Sequence, residues 1–528
     1  MDTSSLERAK CPEELGIPSQ AVIDFLDDVK KSNIELHSFM LLRHGKIAAE
    51  GWWKPFKESV PHTMYSFSKS VSSTAIGFAI SEGLISLDTK VYSLFPEKAP
   101  KIQTKYAKEL TIEHLLTMTS GKLMNPMADT EKMDWIKNFL YAPFSRKPGT
   151  KFFYTNENSY MLCAIVNKVT GMSVIDYLTP RLFEPLGIDI PFWETDPNGV
   201  EAGGWGLQLK TEDQAKFIQC YANGGKWNGK QIIPEQWVKT ATIKQVENAP
   251  GKPDNCVGYG YQFWRCAGAK GYRCDGLFGQ FAIVMEDYDA CFVTNAGNPM
   301  EQDVLDVIWR HFPSCFSDDA LPENEEKAKE LKERLAELEI PLLEKGARNF
   351  ATENMLESKT IRLATSPFAS LLAPPAFFML SKKPGRLNNI KFHFEDDYCT
   401  FSWDEQKSPR NTIKVGLDGK YRYSQITLGC LKLDTASMGK WNGDGSFELW
   451  IRPLQMTQMR KMIFKFSSTG IVDVKSWEEQ ELKDLAVFWL GFVGLSVKEK
   501  LKRITHRVVK AALPVVDPNM LGRLIDDD

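Results

Sequence analysis

The sequence predicts an α+β fold, an α/β sandwich in which an antiparallel sheet carries flanking helices and a helical subdomain, followed by a C-terminal all-β, barrel-like domain. Three observations predict it. Strand-like runs stand at both ends of the first 315 residues with helical patterns between them, so one sheet is assembled from both ends of that domain. The composition then turns abruptly to Glu, Lys, Ala and Leu. Beyond about residue 385, apolar residues alternate in short runs separated by turn signals. A chain of 528 residues is too long for one ordinary core. The expected division is a catalytic-type domain over 1–315, a charged helical linker over 316–384, an antiparallel β-barrel over 385–475 and a helical tail over 476–528.

Residues 36–53 read as two apolar strands around the turn His44-Gly45-Lys46. Val71, Ala75, Phe78 and Ala79 fall at i, i+4, i+7 and i+8, one face of a helix that Gly83 ends. Helical patterns recur at 111–118 and 159–170, and strands return near 260–265, 280–285 and 290–295. From Glu323 to Ile340, Leu331, Leu335 and Leu338 form one stripe, and Glu325/Lys329 and Glu330/Arg334 are favourable i,i+4 pairs. A solvated linker helix is the simpler reading of this stretch, a docking surface the alternative. Phe392/Phe394, Phe401/Trp403, Ile413/Val415, Tyr421/Tyr423 and Phe447/Leu449/Ile451 alternate as strands do, with Asp418-Gly419 and Asn442-Gly443-Asp444-Gly445 as turns. The barrel aromatics fit core filling, or else a small apolar ligand held inside; the domain could also cap the site. In the tail an apolar run, Leu485 to Leu495, leads into Lys498, Lys500, Lys502, Arg503, Arg507 and Lys510. A helix packed on its own barrel explains it more simply than a membrane-surface helix.

The formal net charge of −3 gives no reason to expect nucleic acid as a partner. Ten cysteines are scattered singly, with no CxxC pair, and the seven histidines form no HExxH or other ligand spacing, so neither a disulfide scaffold nor a metal is expected. The polar start MDTSSLERAKCPEELG lacks a signal-peptide pattern and the longest apolar run is too short to span a bilayer, which makes the cytoplasm the expected location. No cofactor is called for, and the oligomeric state is open.

Chemistry concentrates in Tyr65-Ser66-Phe67-Ser68-Lys69-Ser70 at a helix start. A serine hydroxyl needs a base within hydrogen-bond reach to act as a nucleophile. Lys69, three residues on, shares the helix face of Ser66, and the helix N-terminus favours negative charge on the serine oxygen. A partly desolvated ammonium loses its proton more easily and can serve as that base. A Ser-x-x-Lys tetrapeptide arises often by chance; its context gives it weight. Tyr154-Thr155-Asn156 follows Pro148-Gly149 and precedes an apolar helix, which places a tyrosine able to relay a proton and an asparagine able to donate to a substrate.

Together with Leu115-Leu116-Thr117-Met118-Thr119-Ser120-Gly121, this order and spacing resemble the serine β-lactamase and penicillin-binding family, in particular its class C β-lactamase, family VIII esterase and D-aminopeptidase branch. The likeness runs over about residues 35–312 and includes Val169-Thr170-Gly171, Phe183-Glu184-Pro185-Leu186-Gly187, Gly203-Gly204-Trp205-Gly206-Leu207, the Gly224–Lys230 segment and Tyr259-Gly260-Tyr261. A second Tyr-x-Asn, Tyr221-Ala222-Asn223, sits at a helix end and is rejected as catalytic. The resemblance implies that Ser66 is acylated, that Lys69 and Tyr154 share acid/base duty and that Asn156 positions the substrate. The family's third motif carries a Lys or His on a pocket strand. Here Cys274-Asp275-Gly276-Leu277-Phe278-Gly279-Gln280 matches it, with Cys274 in place of the basic residue. Alternation puts Cys274 and Gly276 on one strand face and Arg273 and Asp275 on the other. Cys274, Gly276 and Leu277 are therefore read as substrate-side residues, with the backbone N–H groups of Ser66 and Leu277 as the oxyanion hole. The family's cation holds the β-lactam carboxylate, so its replacement points to an ester, amide or peptide substrate without a nearby carboxylate. Hydrolysis is the leading reading. Acyl transfer or peptide cyclisation through the same acyl-enzyme, and a silent binding protein on the same scaffold, are its rivals.

Overall fold

The computed structural model describes residues 5–123, 132–248, 253–365, 370–372, 380, 382–478 and 519–527. The chain forms two compact units, the first ending at Glu339 and the second beginning at Ile340. Each has its own apolar core.

In the first unit, β1 (Leu36–Arg43) and β2 (Lys46–Trp52) form the expected hairpin. His44 and Gly45 at its tip have φ of 52° and 76°, the left-handed pair that a two-residue hairpin turn requires. The remaining strands come from the far end of the unit: β3 (Trp264–Arg265), β4 (Gly271–Gly276), β5 (Gln280–Met285) and β6 (Ala290–Ala296). The six run in the order β2-β1-β6-β5-β4-β3, every neighbour antiparallel. β1 therefore pairs with β6, which follows it by some 250 residues in sequence, and the sheet is closed from both ends as the pattern predicts.

Helices cover both faces of this sheet. On one, α1 (Ser19–Lys31) buries Val22, Ile23, Phe25, Leu26 and Val29 against Phe39 and Leu41 of β1 and Phe292 of β6. The helices carrying the site, α2 (Ser68–Ser81), α3 (Ile112–Leu116) and α4 (Asn156–Thr170), form the helical subdomain. α5 (Thr211–Ala222) packs on β1, β5 and β6, and α6 (Glu301–His311) completes the α1 layer. The charged helix is α7 (Glu325–Ala336). It belongs to the first unit: Leu331 is buried in the α1 core, and Leu335 and Leu338 pack against it. A stripe of leucines opposite a charged face is enough to dock a helix, and the solvated-linker reading gives way to this packing.

In the second unit the strands are β7 (Lys359–Ala364), β8 (Leu387–Phe394), β9 (Tyr398–Glu405), β10 (Asn411–Gly416), β11 (Arg422–Leu428), β12 (Leu431–Trp441), β13 (Phe447–Pro453), β14 (Arg460–Phe466), β15 (Ile471–Glu478) and β16 (Met520–Asp526). They follow the order β10-β9-β8-β7-β16-β15-β14-β13-β12-β11. A parallel contact of Gly416 with Met438 joins β10 to β12 and closes nine of them into a barrel, with β11 as a hairpin extension. Phe392 sits among Phe401, Phe447 and Phe464 at ring separations of 5.1, 5.5 and 5.0 Å, so aromatic side chains fill the interior. Two barrel strands lie outside 385–475. β7 falls in the stretch read as linker, and β16 in the stretch read as helical tail. β16 pairs with both β7 and β15, a partnership that local pattern does not encode. The basic segment from Lys498 to Lys510 lies outside the described residues. Among the described residues no single helix is long and apolar enough to cross a membrane.

Candidate active site

The chain reaches Ser66 under tight backbone control. His62 and Thr63 pair with Leu209 and Gln208, and the Met64 N–H donates to the Leu207 carbonyl at 2.8 Å. Tyr65 then takes φ of 45°, a left-handed conformation that is costly for a bulky side chain and persists only where its surroundings hold it. Its ring is wedged edge-on against Phe278 at 5.4 Å. A short 3₁₀ turn, Tyr65–Phe67, carries Ser66 straight into α2. Ser66 is half-buried at that helix entrance, and Lys69 is 1% exposed one turn on.

α2 is buried almost all round although rich in hydroxyls, and several of these hydroxyls tie it to neighbouring segments. Ser70 donates to the Gln262 carbonyl at 2.7 Å, Ser72 to that of Gly203 at 2.9 Å and Ser73 to that of Tyr261 at 2.6 Å. Gln262 also accepts from Ser159 of α4 at 2.6 Å and donates to the Leu116 carbonyl of α3 at 2.8 Å. One buried glutamine thus clamps three site helices together.

Lys69 Nζ lies 3.1 Å from Ser66 Oγ and donates to Asn156 Oδ1 at 2.7 Å and to the Gly204 carbonyl at 2.6 Å. A Cβ at Gly204 would sit 3.0 Å from Asn156 Cβ, so glycine is what lets that carbonyl approach. No carboxylate within salt-bridge distance of Lys69 is found among the described residues. Burial lowers its pKa from the ordinary lysine value of 10.5 to about 7, against the opposing charges of Glu157 and Asp275. Asn156 is the first residue of α4, which Thr155 caps by accepting from the Asn158 N–H. Tyr154, just ahead of that cap, lays its ring 4.8 Å from Lys69 Nζ, and its phenol is influenced by the neighbouring Ser66 side chain. Burial above all, with Asp275 and Glu301 nearby, pushes the Tyr154 phenol well above 10. Trp264, Tyr259 and Phe152 wall this corner, with Trp264 5.5 Å and Tyr259 6.3 Å from the Tyr154 ring.

β4 lines the opposite side. Gly276 backs onto the Met64 carbonyl so closely that any Cβ would collide with it. Leu277 is 8% exposed, and the next amide, that of Phe278, donates to Glu301 Oε1 at 3.2 Å. Cys274 is fully enclosed with its thiol toward Ser70, and burial raises its pKa strongly. The fold therefore brings Ser66, Lys69, Tyr154 and Asn156 together and sets Gly276 and Leu277 beside them, while Cys274 packs behind α2 rather than facing the opening. Tyr221, of the rejected second Tyr-x-Asn, is buried with its hydroxyl 2.7 Å from Thr74. Asp275, Glu157 and the Gly204 carbonyl were not singled out from sequence. The Gly203-Gly204 pair was a visible signal, whereas nothing local marks the carboxylates. No group of three or more His, Cys, Asp or Glu side chains able to hold a metal occurs among the described residues.

Residues 27–306, more than half of the chain, match the family model described as Beta-lactamase. The chain belongs to the β-lactamase family. Among relatives, it is 23% identical over 224 residues to the 6-aminohexanoate-dimer hydrolase of Paenarthrobacter ureafaciens, covering 38% of this chain and 56% of that protein. It is 24% identical over 188 residues to a β-lactamase of Escherichia coli K12, covering 31% and 49%, and 27% identical over 150 residues to the lovastatin esterase of Penicillium rubens, covering 23% and 37%. The chain thus spans about half, or less, of the length of these β-lactamase-family relatives. A solved penicillin-binding protein homologue from Caulobacter crescentus superimposes with a TM-score of 0.45 at 17% identity, covering 54% of this chain and 92% of its own.

Proposed function

We propose that the protein is a serine hydrolase that cleaves a small ester, amide or peptide through an acyl-enzyme on Ser66. The observation that carries this reading is the environment of Lys69. Two carbonyls occupy two of its N–H bonds, the third direction points at Ser66 Oγ, and burial brings its pKa to about 7. In its neutral form that third direction is a lone pair able to take the serine proton, which is what a general base near neutrality requires.

Ser66 Oγ attacks the substrate carbonyl as its proton passes to Lys69 Nζ. Tyr154, a phenol whose pKa stands well above neutrality, is the acid: it gives its proton to the departing oxygen or nitrogen and recovers one from the Lys69 ammonium. Water then attacks the acyl-enzyme by the same steps in reverse. The backbone N–H groups of Ser66 and Leu277 receive the oxyanion; the Phe278 amide is already engaged by Glu301, which supports Leu277 for that part. Asn156, whose Oδ1 accepts from Lys69, turns its NH₂ to the substrate. The activities named for the relatives, on an amide dimer, a β-lactam and an ester, are all acyl cleavages and agree with this class.

Incubation with a fluorophosphonate followed by intact mass spectrometry should add one phosphonyl group at Ser66, and Ser66→Ala should lose both the label and at least about a thousandfold in ester turnover. Labelling that persists in Ser66→Ala refutes the assignment. Product analysis with an added amine separates hydrolysis, which yields the free acid, from acyl transfer.

A further inference from the structure

Leu277, Phe278 and Gly279 form the turn that joins β4 to β5. Phe278 and Gly279 take φ of 71° and 96°, and for an aromatic residue that left-handed backbone persists only where its surroundings hold it. Here the hold comes from every side. The Phe278 N–H donates to Glu301 Oε1 at 3.2 Å, and the Phe278 carbonyl accepts from the Asn298 N–H at 3.1 Å. The Gly279 N–H donates to the Gly276 carbonyl at 3.2 Å, and the Gly279 carbonyl accepts from Thr294 Oγ1 at 2.8 Å. The Leu277 carbonyl accepts from Gln280 Nε2 at 3.0 Å. Among the described residues, the Leu277 N–H is the one backbone group of this turn that has no hydrogen-bond partner. A nearly buried donor left open, between neighbours that are all engaged, is a place kept for an acceptor from outside the chain.

Gln280 anchors this arrangement. Its side chain is fully buried, and burying an amide is costly unless each of its polar groups is bonded. Besides the Leu277 carbonyl, Nε2 donates to the Ala296 carbonyl at 2.7 Å, and Oε1 accepts from the Ala296 N–H at 3.3 Å. The side chain thereby stands in for a strand backbone opposite Ala296, beyond the Thr294–Phe281 pair at which the β5–β6 register ends. Ala296 in turn pairs with Leu36 of β1. One glutamine thus fastens the Leu277 carbonyl to the middle of the sheet. With both N–H groups and its oxygen engaged, Gln280 has nothing left to offer a substrate, and any part it plays in the reaction passes through Leu277. The turn itself meets the approach to Ser66: Gly276 lies against the Met64 carbonyl, and the Phe278 ring against that of Tyr65.

We infer that Gln280 is a positioning residue for the oxyanion site: by holding the Leu277 carbonyl it fixes the direction of the Leu277 N–H before a substrate arrives. This rests on the serine-hydrolase reading above. The carbonyl and the N–H of Leu277 belong to the peptide units on either side of one Cα, so a swing of the first turns the second. A donor stabilises a developing oxyanion most when it needs no reorganisation at the moment of reaction.

The test compares phenyl butanoate with its thionoester, in which sulfur replaces the carbonyl oxygen, on the wild type and on Gln280→Met. Sulfur is a weak hydrogen-bond acceptor, so turnover of the thionoester depends little on the donor. In Gln280→Met, kcat for the ester should fall about tenfold or more with KM little changed. The thionoester should lose much less, so that the ester-to-thionoester ratio of kcat/KM also falls about tenfold or more. A purely structural role would slow both substrates alike. Equal losses therefore overturn the inference, as does a folded variant with wild-type ester turnover, and either result leaves the hydrolase reading standing. If Gln280→Met does not fold, Gln280→Glu carries the same comparison: its carboxylate keeps an acceptor for the Ala296 N–H but has no N–H for the Leu277 carbonyl. Absence of both ester turnover and fluorophosphonate labelling in the wild type overturns the hydrolase reading, and the inference falls with it.

Discussion

Two of the three hydrogen-bonding directions of the Lys69 amine end on the carbonyls of Asn156 and Gly204, and the third runs to Ser66 Oγ. Arrangement and burial together suit this residue to the part of base proposed for it rather than to that of a counter-ion. Because its pKa falls from 10.5 to about 7, kcat/KM for a non-ionising ester should rise with pH through about 7 and then level off. The sign for stability follows from the same shift. Between about pH 7 and 10.5 the unfolded chain holds a proton here that the native state does not, so Lys69 makes stability rise with pH across that window and weighs fully against the fold below it. Lys69→Arg keeps a cation that cannot shed its proton near neutrality, and should lose about a hundred- to ten-thousandfold in turnover together with the limb near pH 7. A pH–rate series on both proteins checks this; an unchanged limb in Lys69→Arg would remove Lys69 from the role.

At the scale of elements, the site depends on how closely β4 approaches the turn before α2. Gly276 has no room for a side chain because the Met64 carbonyl occupies the space. Gly276→Ala must push β4 away from Ser66, at about 1–3 kcal/mol in stability, and should slow turnover by displacing the Leu277 amide. Urea denaturation and kcat measured on one preparation test both effects, and a variant with wild-type values in each would show that the approach is not needed. α2 also shows why a helix full of serines can be buried. Its hydroxyls are tied to the carbonyls of Gly203, Tyr261 and Gln262, so the helix is fixed by polar contacts on several sides.

For the whole molecule, each unit carries its own core, and the second is held by a ring of nine strands around an aromatic interior. Closure removes sheet edges that would otherwise invite association. Phe392, in ring contact with Phe401, Phe447 and Phe464, is the natural probe of that interior. Phe392→Ala should cost about 3–5 kcal/mol in equilibrium unfolding. A loss below about 1 kcal/mol would mean the barrel core is loosely packed there.

Local pattern was enough for much of this protein. Strand alternation and helical spacing located the 36–53 hairpin, α2, α4 and most barrel strands, because each is written in consecutive residues with a fixed period. The pairing of Ser66 with Lys69 was equally legible, since three residues on a helix set a shared face whatever surrounds them, and Tyr154 and Asn156 followed from motif order. Tertiary structure decided the rest. α7 became part of the first core because α1 supplies a partner for its leucines, and β16 became a strand because β7 and β15 offer it edges. Cys274 turned toward Ser70, while Asp275 came into electrostatic reach of Lys69 despite standing on the strand face that alternation had set aside. Sequence spacing records which way a side chain leaves its own element. The charge and depth it meets there depend on which distant segment closes over it.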